Sequence, residues 1–167
     1  KLGKSLLAAN LSVAVARGKP FLGFEAQEPA RILYIDFELA EWEIDERLNA
    51  ISSYDVPDNL STVSLKAFPE LRNRKALLKF VEARIQPEDF DMIVWDCLYK
   101  FAGLSDENSN SEMGKIDEWL DKVVNRTHAA QMVIHHFGKG NQGEKNVLDR
   151  FRGGSALTGG FDSIISL

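Results

Sequence analysis

DMIVWD, residues 91–96, is the stretch on which the fold turns. Four apolar residues follow one another without a polar break, and the run closes on an aspartate. A short strand that is apolar on both alternating faces is covered on both sides, as in a parallel sheet layered between helices. Working outward, RILYIDF (31–37) repeats the pattern and QMVIHH (131–136) is a third such run; STVSL (61–65) and FDSIISL (161–167) are expected as two further strands.

The segments between these runs change period. Leu6, Leu7, Leu11, Val13, Ala14 and Ala16 recur at helical spacing, and the stretch stops at Gly18 and Pro20. Residues 41–52 predict a second helix with Trp42, Leu48 and Ile51 turned inward. Residues 73–85 predict a third, carrying Ala76, Leu77, Leu78, Phe80 and Val81. Residues 112–128 predict a fourth, with Ile116, Trp119, Leu120 and Val123 spaced for burial. Apolar strands alternating with amphipathic helices give an α/β domain: a mostly parallel sheet flanked by helices in three layers. Two polar segments, 101–114 and 137–154, are too long to be simple connections, and loops of that length are usually functional.

Composition narrows the function classes. A chain of 167 residues with 44% hydrophobic and 27% charged residues can bury one core and is not a disordered segment. No apolar run reaches the roughly 18–20 residues that cross a bilayer. One cysteine, Cys97, excludes an internal disulfide and a cysteine-only metal site. With no signal-peptide pattern at the start, a cytoplasmic location is expected. The net charge of −5 does not suit a surface that grips nucleic acid over its whole area, so any such contact must be local or shared among copies.

Chemistry concentrates at the strand ends and at the first helix. KLGKS, residues 1–5, is the second half of a G-x-x-x-x-G-K-[ST] phosphate-binding loop leading into a helix. Gly3 lets the backbone approach phosphate at the positive end of a helix. Lys4 is placed to reach the β- and γ-phosphates, and the Ser5 hydroxyl to ligate Mg²⁺. Asp96 ends its strand on the edge that faces the same crevice, where a carboxylate can hold the water shell of Mg²⁺. Glu38, just past the strand 31–37, is a candidate general base for an attacking water; Asp36 competes for that role, though alternation turns it away from Phe37. His135 and His136 end the strand 131–136, where one imidazole can contact a γ-phosphate. Adjacent histidines on a strand face opposite ways, which argues against a shared zinc ion.

The order KLGKS, LYIDFE, MIVWDCLYKF, VIHHFGKG and RFRGGSALTGGFDSIISL is similar to RecA-superfamily P-loop ATPases of the RepA-type hexameric helicase group. The resemblance spans nearly the whole chain, and HHFGKG with RGGSALTGGFDSI is its most specific part. It implies a RecA-like P-loop fold that binds ATP and Mg²⁺, with Gly3, Lys4, Ser5 and Asp96 at the nucleotide and Ser5 and Asp96 at the metal. Glu38 is implied as catalytic base, His136 as γ-phosphate sensor and Arg152, with Arg150 as its rival, as an arginine reaching the neighbouring subunit's ATP. It further implies a homo-hexamer that draws single-stranded DNA through a central channel, with Lys139, Lys145 and Arg150 on the DNA backbone. The front half of the phosphate loop would lie before residue 1, and the family continues with more sheet after residue 167. Residues 1–167 are therefore expected to be a single ATPase core cut at both ends. The same core also serves recombination and regulatory ATPases that separate no strands, which is the alternative function.

Overall fold

The structure, a computed structural model, describes residues 3–25, 28–97, 110–135 and 160–165. Among the described residues four strands form one sheet, β1 (Ile32–Asp36), β2 (Leu60–Ser64), β3 (Met92–Asp96) and β4 (Ala130–Ile134), in the order β2-β1-β3-β4. All three pairings are parallel. The register sets Asp36 beside Asp96 and Asp96 beside Ile134, so the C-terminal ends of β1, β3 and β4 share one edge.

Among the described residues four α-helices cover the sheet. On one face, α1 (Lys4–Ala16) and α2 (Glu41–Ser52) pack through Ala8, Ala9, Val13, Ile44 and Leu48 onto Ile32, Tyr34, Val94 and Ile134. On the other, α3 (Arg74–Arg84) and α4 (Asn110–Thr127) pack through Leu77, Val81, Ile116, Trp119 and Val123 onto Leu33, Ile35, Ile93 and Trp95. Odd and even strand positions thus feed two separate cores, as strands covered on both faces require. Trp95 and Trp119 meet edge to face, 5.1 Å between ring centroids, and join β3 to α4. This is the three-layer α/β/α arrangement of a RecA-like P-loop fold.

Three local expectations need correction. Trp42 is 62% exposed. Ile44 and Leu48 take the buried stripe of α2, with Ile51 half-buried behind them. Phe161 to Ile165 form no strand among the described residues. Phe161 packs instead on the α3/α4 core, and the Gly160 backbone lies so close to Asp117 of α4 that a Cβ there would sit 1.8 Å from its Oδ1. The helix expected from residue 112 begins at Asn110, inside the polar segment 101–114. Asn110, Ser111 and Glu112 are residues that favour a helix start, so that segment's last residues are a first turn of helix.

Candidate nucleotide site

The N-terminus of α1 arrives at the sheet edge where β1 and β3 end. Gly3 caps the helix with φ +96°, a left-handed conformation that costs any residue with a Cβ. Among the described residues, its chain neighbours and the helix's own backbone aside, no heavy atom lies within 4 Å of where such a Cβ would stand. Ser5, the second residue of the helix, reaches β3, where its Oγ donates to Asp96 Oδ1 at 3.0 Å. A hydroxyl has one proton to give and two lone pairs to keep. Giving the proton to Asp96 leaves the Ser5 oxygen free to ligate a cation.

Asp96 is almost fully buried, and its second oxygen accepts from the Tyr34 hydroxyl at 2.7 Å. Tyr34 stands two positions before Asp36 on β1, on the same face, and its hydroxyl also lies 3.4 Å from the Ser5 carbonyl oxygen. Burial, then the adjacent Asp96 carboxylate, pushes the Tyr34 phenol far above its ordinary value, so it is a proton donor at any working pH.

Asp36, next to Asp96 in register, is also buried. Its Oδ1 accepts from the backbone N–H of Glu38 at 2.7 Å and of Leu39 at 2.8 Å. Burial raises its carboxyl above the usual range; those two amides oppose the rise, and Asp96 adds to it. The carboxylate is spent on fixing the turn that carries Glu38. More bonds pin the same turn: Phe37 N–H to the Asp96 carbonyl at 2.8 Å, Ser64 Oγ to the Leu39 carbonyl at 2.6 Å, and Ala40 N–H to Glu43 Oε2 at 2.7 Å. Glu43 in turn meets Lys66 at 3.0 Å. Glu38 is half-buried at the edge, just beyond the two aspartates.

The structure therefore brings Gly3, Lys4, Ser5, Asp96 and Glu38 to one end of the sheet. His135 directly follows Ile134, the register neighbour of Asp96, at the end of β4. His136, Lys139, Lys145, Arg150 and Arg152 lie outside the described residues. Sequence reasoning missed two supports, Tyr34 and the turn-holding use of Asp36. The available signal was the alternation in LYIDFE, which sets Tyr34 and Asp36 on one face.

Hard oxygen donors (a serine hydroxyl beside a carboxylate) at an open helix N-terminus suit Mg²⁺ and phosphate together. Among the described residues no helix is long and apolar enough to cross a membrane. No curated protein and no solved structure matches the chain. A family model described as an AAA domain matches residues 1–142, most of the chain, and that span includes α1, all four strands and the edge that carries Asp36, Glu38 and Asp96. The chain belongs to this AAA domain family, and is a P-loop ATPase domain of the α/β/α class.

Proposed function

We propose that this chain is the ATP-hydrolysing core of a ring helicase that moves along single-stranded DNA. The observation that carries its chemical half is the 3.0 Å bond from Ser5 to Asp96, which ties the phosphate loop to the strand edge beside Glu38. On this reading Gly3 and the first amides of α1 receive phosphate oxygens, and Lys4 balances the charge of the β- and γ-phosphates. Ser5 and Asp96 hold Mg²⁺ and its waters. When bound, the metal neutralises charge that builds on the phosphates during transfer. Glu38 takes the proton of the attacking water, held at its position by the Asp36 turn.

The translocating half rests on the sequence pattern alone. His136 reports the γ-phosphate to the segment 137–154, Arg152 acts in the neighbouring subunit's site, and Lys139, Lys145 and Arg150 contact the DNA backbone in a hexamer. An arginine supplied in trans makes hydrolysis depend on assembly. Residues 1–167 form one ATPase core on this view.

The test is ATP hydrolysis by the intact protein with and without single-stranded DNA. DNA is expected to stimulate turnover. Glu38→Gln should lower it by about 10²–10⁴-fold, and Arg152→Ala by about 10³-fold or more. Turnover indifferent both to DNA and to Arg152 would remove the helicase and leave a regulatory P-loop ATPase.

A further inference from the structure

We propose that Tyr34 is a positioning residue for the Mg²⁺ site: its buried hydroxyl fixes the Asp96 carboxylate in the orientation that the metal's water shell requires. The inference rests on the assignment of Asp96 to Mg²⁺ made above, and goes beyond it to a residue on a different strand.

The geometry is specific. The two oxygens of Asp96 are each held by one hydroxyl, Ser5 Oγ on Oδ1 at 3.0 Å and Tyr34 Oη on Oδ2 at 2.7 Å. With one donor per oxygen the carboxylate cannot rotate about its terminal bond without breaking both contacts. Each carboxylate oxygen still keeps a lone pair for a metal-bound water. Tyr34 is itself held by its surroundings. Its ring is buried among Ile32, Val94 and the small residues of α1, and its strand is paired on both sides.

The chemistry also explains why a phenol stands in an otherwise apolar run. A buried carboxylate needs hydrogen-bond donors, and a lysine or arginine in that place would bring its own positive charge against the incoming cation. A phenol supplies the donor without a charge. Outer-shell partners of this kind usually change metal affinity by tenfold or more when removed.

The experiment uses the intact protein and a non-hydrolysable fluorescent ATP analogue, titrated once with excess Mg²⁺ and once with EDTA. The ratio of the two affinities reads the metal's contribution without turnover. Tyr34→Phe keeps the ring and removes the hydroxyl, and Asp96→Asn is the reference. A thermal melt of each variant accompanies the titrations. In Tyr34→Phe the ratio should fall about tenfold while the EDTA affinity stays at the wild-type value. A ratio unchanged in Tyr34→Phe but reduced in Asp96→Asn would overturn the role of Tyr34 and leave Asp96 in place. A ratio unchanged in both would overturn the Asp96 assignment and the Tyr34 role with it. Equal weakening with and without Mg²⁺ would make Tyr34 a packing residue only, and would also overturn the proposal.

Discussion

Asp36 and Glu38 are both carboxylates at the end of one strand, and replacing Asp36 separates their roles. Asp36 Oδ1 accepts two backbone N–H groups, at 2.7 and 2.8 Å, and these hold the turn that carries Glu38. Asp36→Asn keeps an oxygen able to accept both. Asp36→Ala leaves two amides without that partner. Hydrogen bonds to a charged acceptor contribute about 1.5–3 kcal/mol each, and relief of the buried carboxylate's desolvation offsets part of the loss, so a net cost of about 2–3 kcal/mol is expected for alanine. In a chain of this size that is a fall of about 5–10 °C in the melting midpoint. Asparagine should be neutral or stabilising at neutral pH. The sign follows from the raised ionisation of Asp36 in the fold. The folded protein binds this proton more tightly than the unfolded chain. Stability from this group is therefore full below the ordinary carboxylate range and falls as pH rises through the raised folded value. Asp36→Asn removes that decline. The assays are melts from pH 4 to 8 and steady-state ATP hydrolysis. Asp36→Asn should retain most of the turnover, Asp36→Ala should lose turnover with a smaller change in KM, and Glu38→Gln should lose turnover without loss of stability. An Asp36→Asn variant as inactive as Glu38→Gln, with its melting point intact, would refute the argument and make Asp36 the base.

Two further predictions concern the packing that delivers the site. Trp119→Ala removes the edge-to-face contact with Trp95 and the 2.9 Å bond from its Nε1 to the Arg74 carbonyl, and should cost about 3–5 kcal/mol in urea unfolding. A cost under about 1 kcal/mol would mean that α4 does not dock on β3 as described. Ala8→Leu adds three carbons where α1 rests on the sheet with no exposed surface, which should cost about 1–3 kcal/mol and push the helix outward. The Ser5–Asp96 bond would lengthen with it, so Mg²⁺-dependent nucleotide affinity should fall more than thermal stability alone explains; an unchanged affinity would count against a link between this packing and the site.

Much of this organisation is legible in the sequence because burial on both faces leaves a plain trace. MIVW in β3 and ILYI in β1 have no polar face, so their place inside a layered parallel sheet follows from the residues themselves. GKS before a helical pattern and an aspartate closing an apolar run likewise mark the sheet edge at which Ser5 meets Asp96. Trp42 misleads because an aromatic residue near a helix start carries no information about which side the helix presents, and only the positions of Ile44 and Leu48 against β1 settle the stripe. FDSIISL has strand composition, but pairing needs a partner edge, and what the composition omits is the fit of Gly160 against Asp117. For Tyr34 the alternation in LYIDFE marks the face it shares with Asp36 but not the partner it meets there. Its meaning depends on the register of β1 against β3, and register is a property of two strands that neither one states. Once Asp36 is set beside Asp96, a tyrosine two residues earlier on the same face has its hydroxyl within reach of that carboxylate.

The two ends of β3 show how the same side chain is put to opposite uses. Asp91, just before the strand, faces Arg31, just before β1, with a guanidinium nitrogen on each carboxylate oxygen, at 2.8 and 3.1 Å. The Arg31 hydrogen bonds hold the Asp91 carboxyl below its usual range, and its charge is matched within the fold. That pair is half-exposed, so it fixes the entry of two neighbouring strands more than it stabilises them. At the other end of β3, Asp96 is held by two hydroxyls, and its neighbour Asp36 by two amides. These donors set position without supplying positive charge. An arginine there would have satisfied the buried carboxylates equally well, but it would have filled the place that a divalent cation needs. On the proposed reading, neutral donors around the two aspartates leave the positive charge there to be supplied by the metal, and the end of α1 to receive the phosphate. On that same reading, the neutral donor set, more than the presence of the aspartates, is what would suit this edge to magnesium and phosphate rather than only to holding strands together.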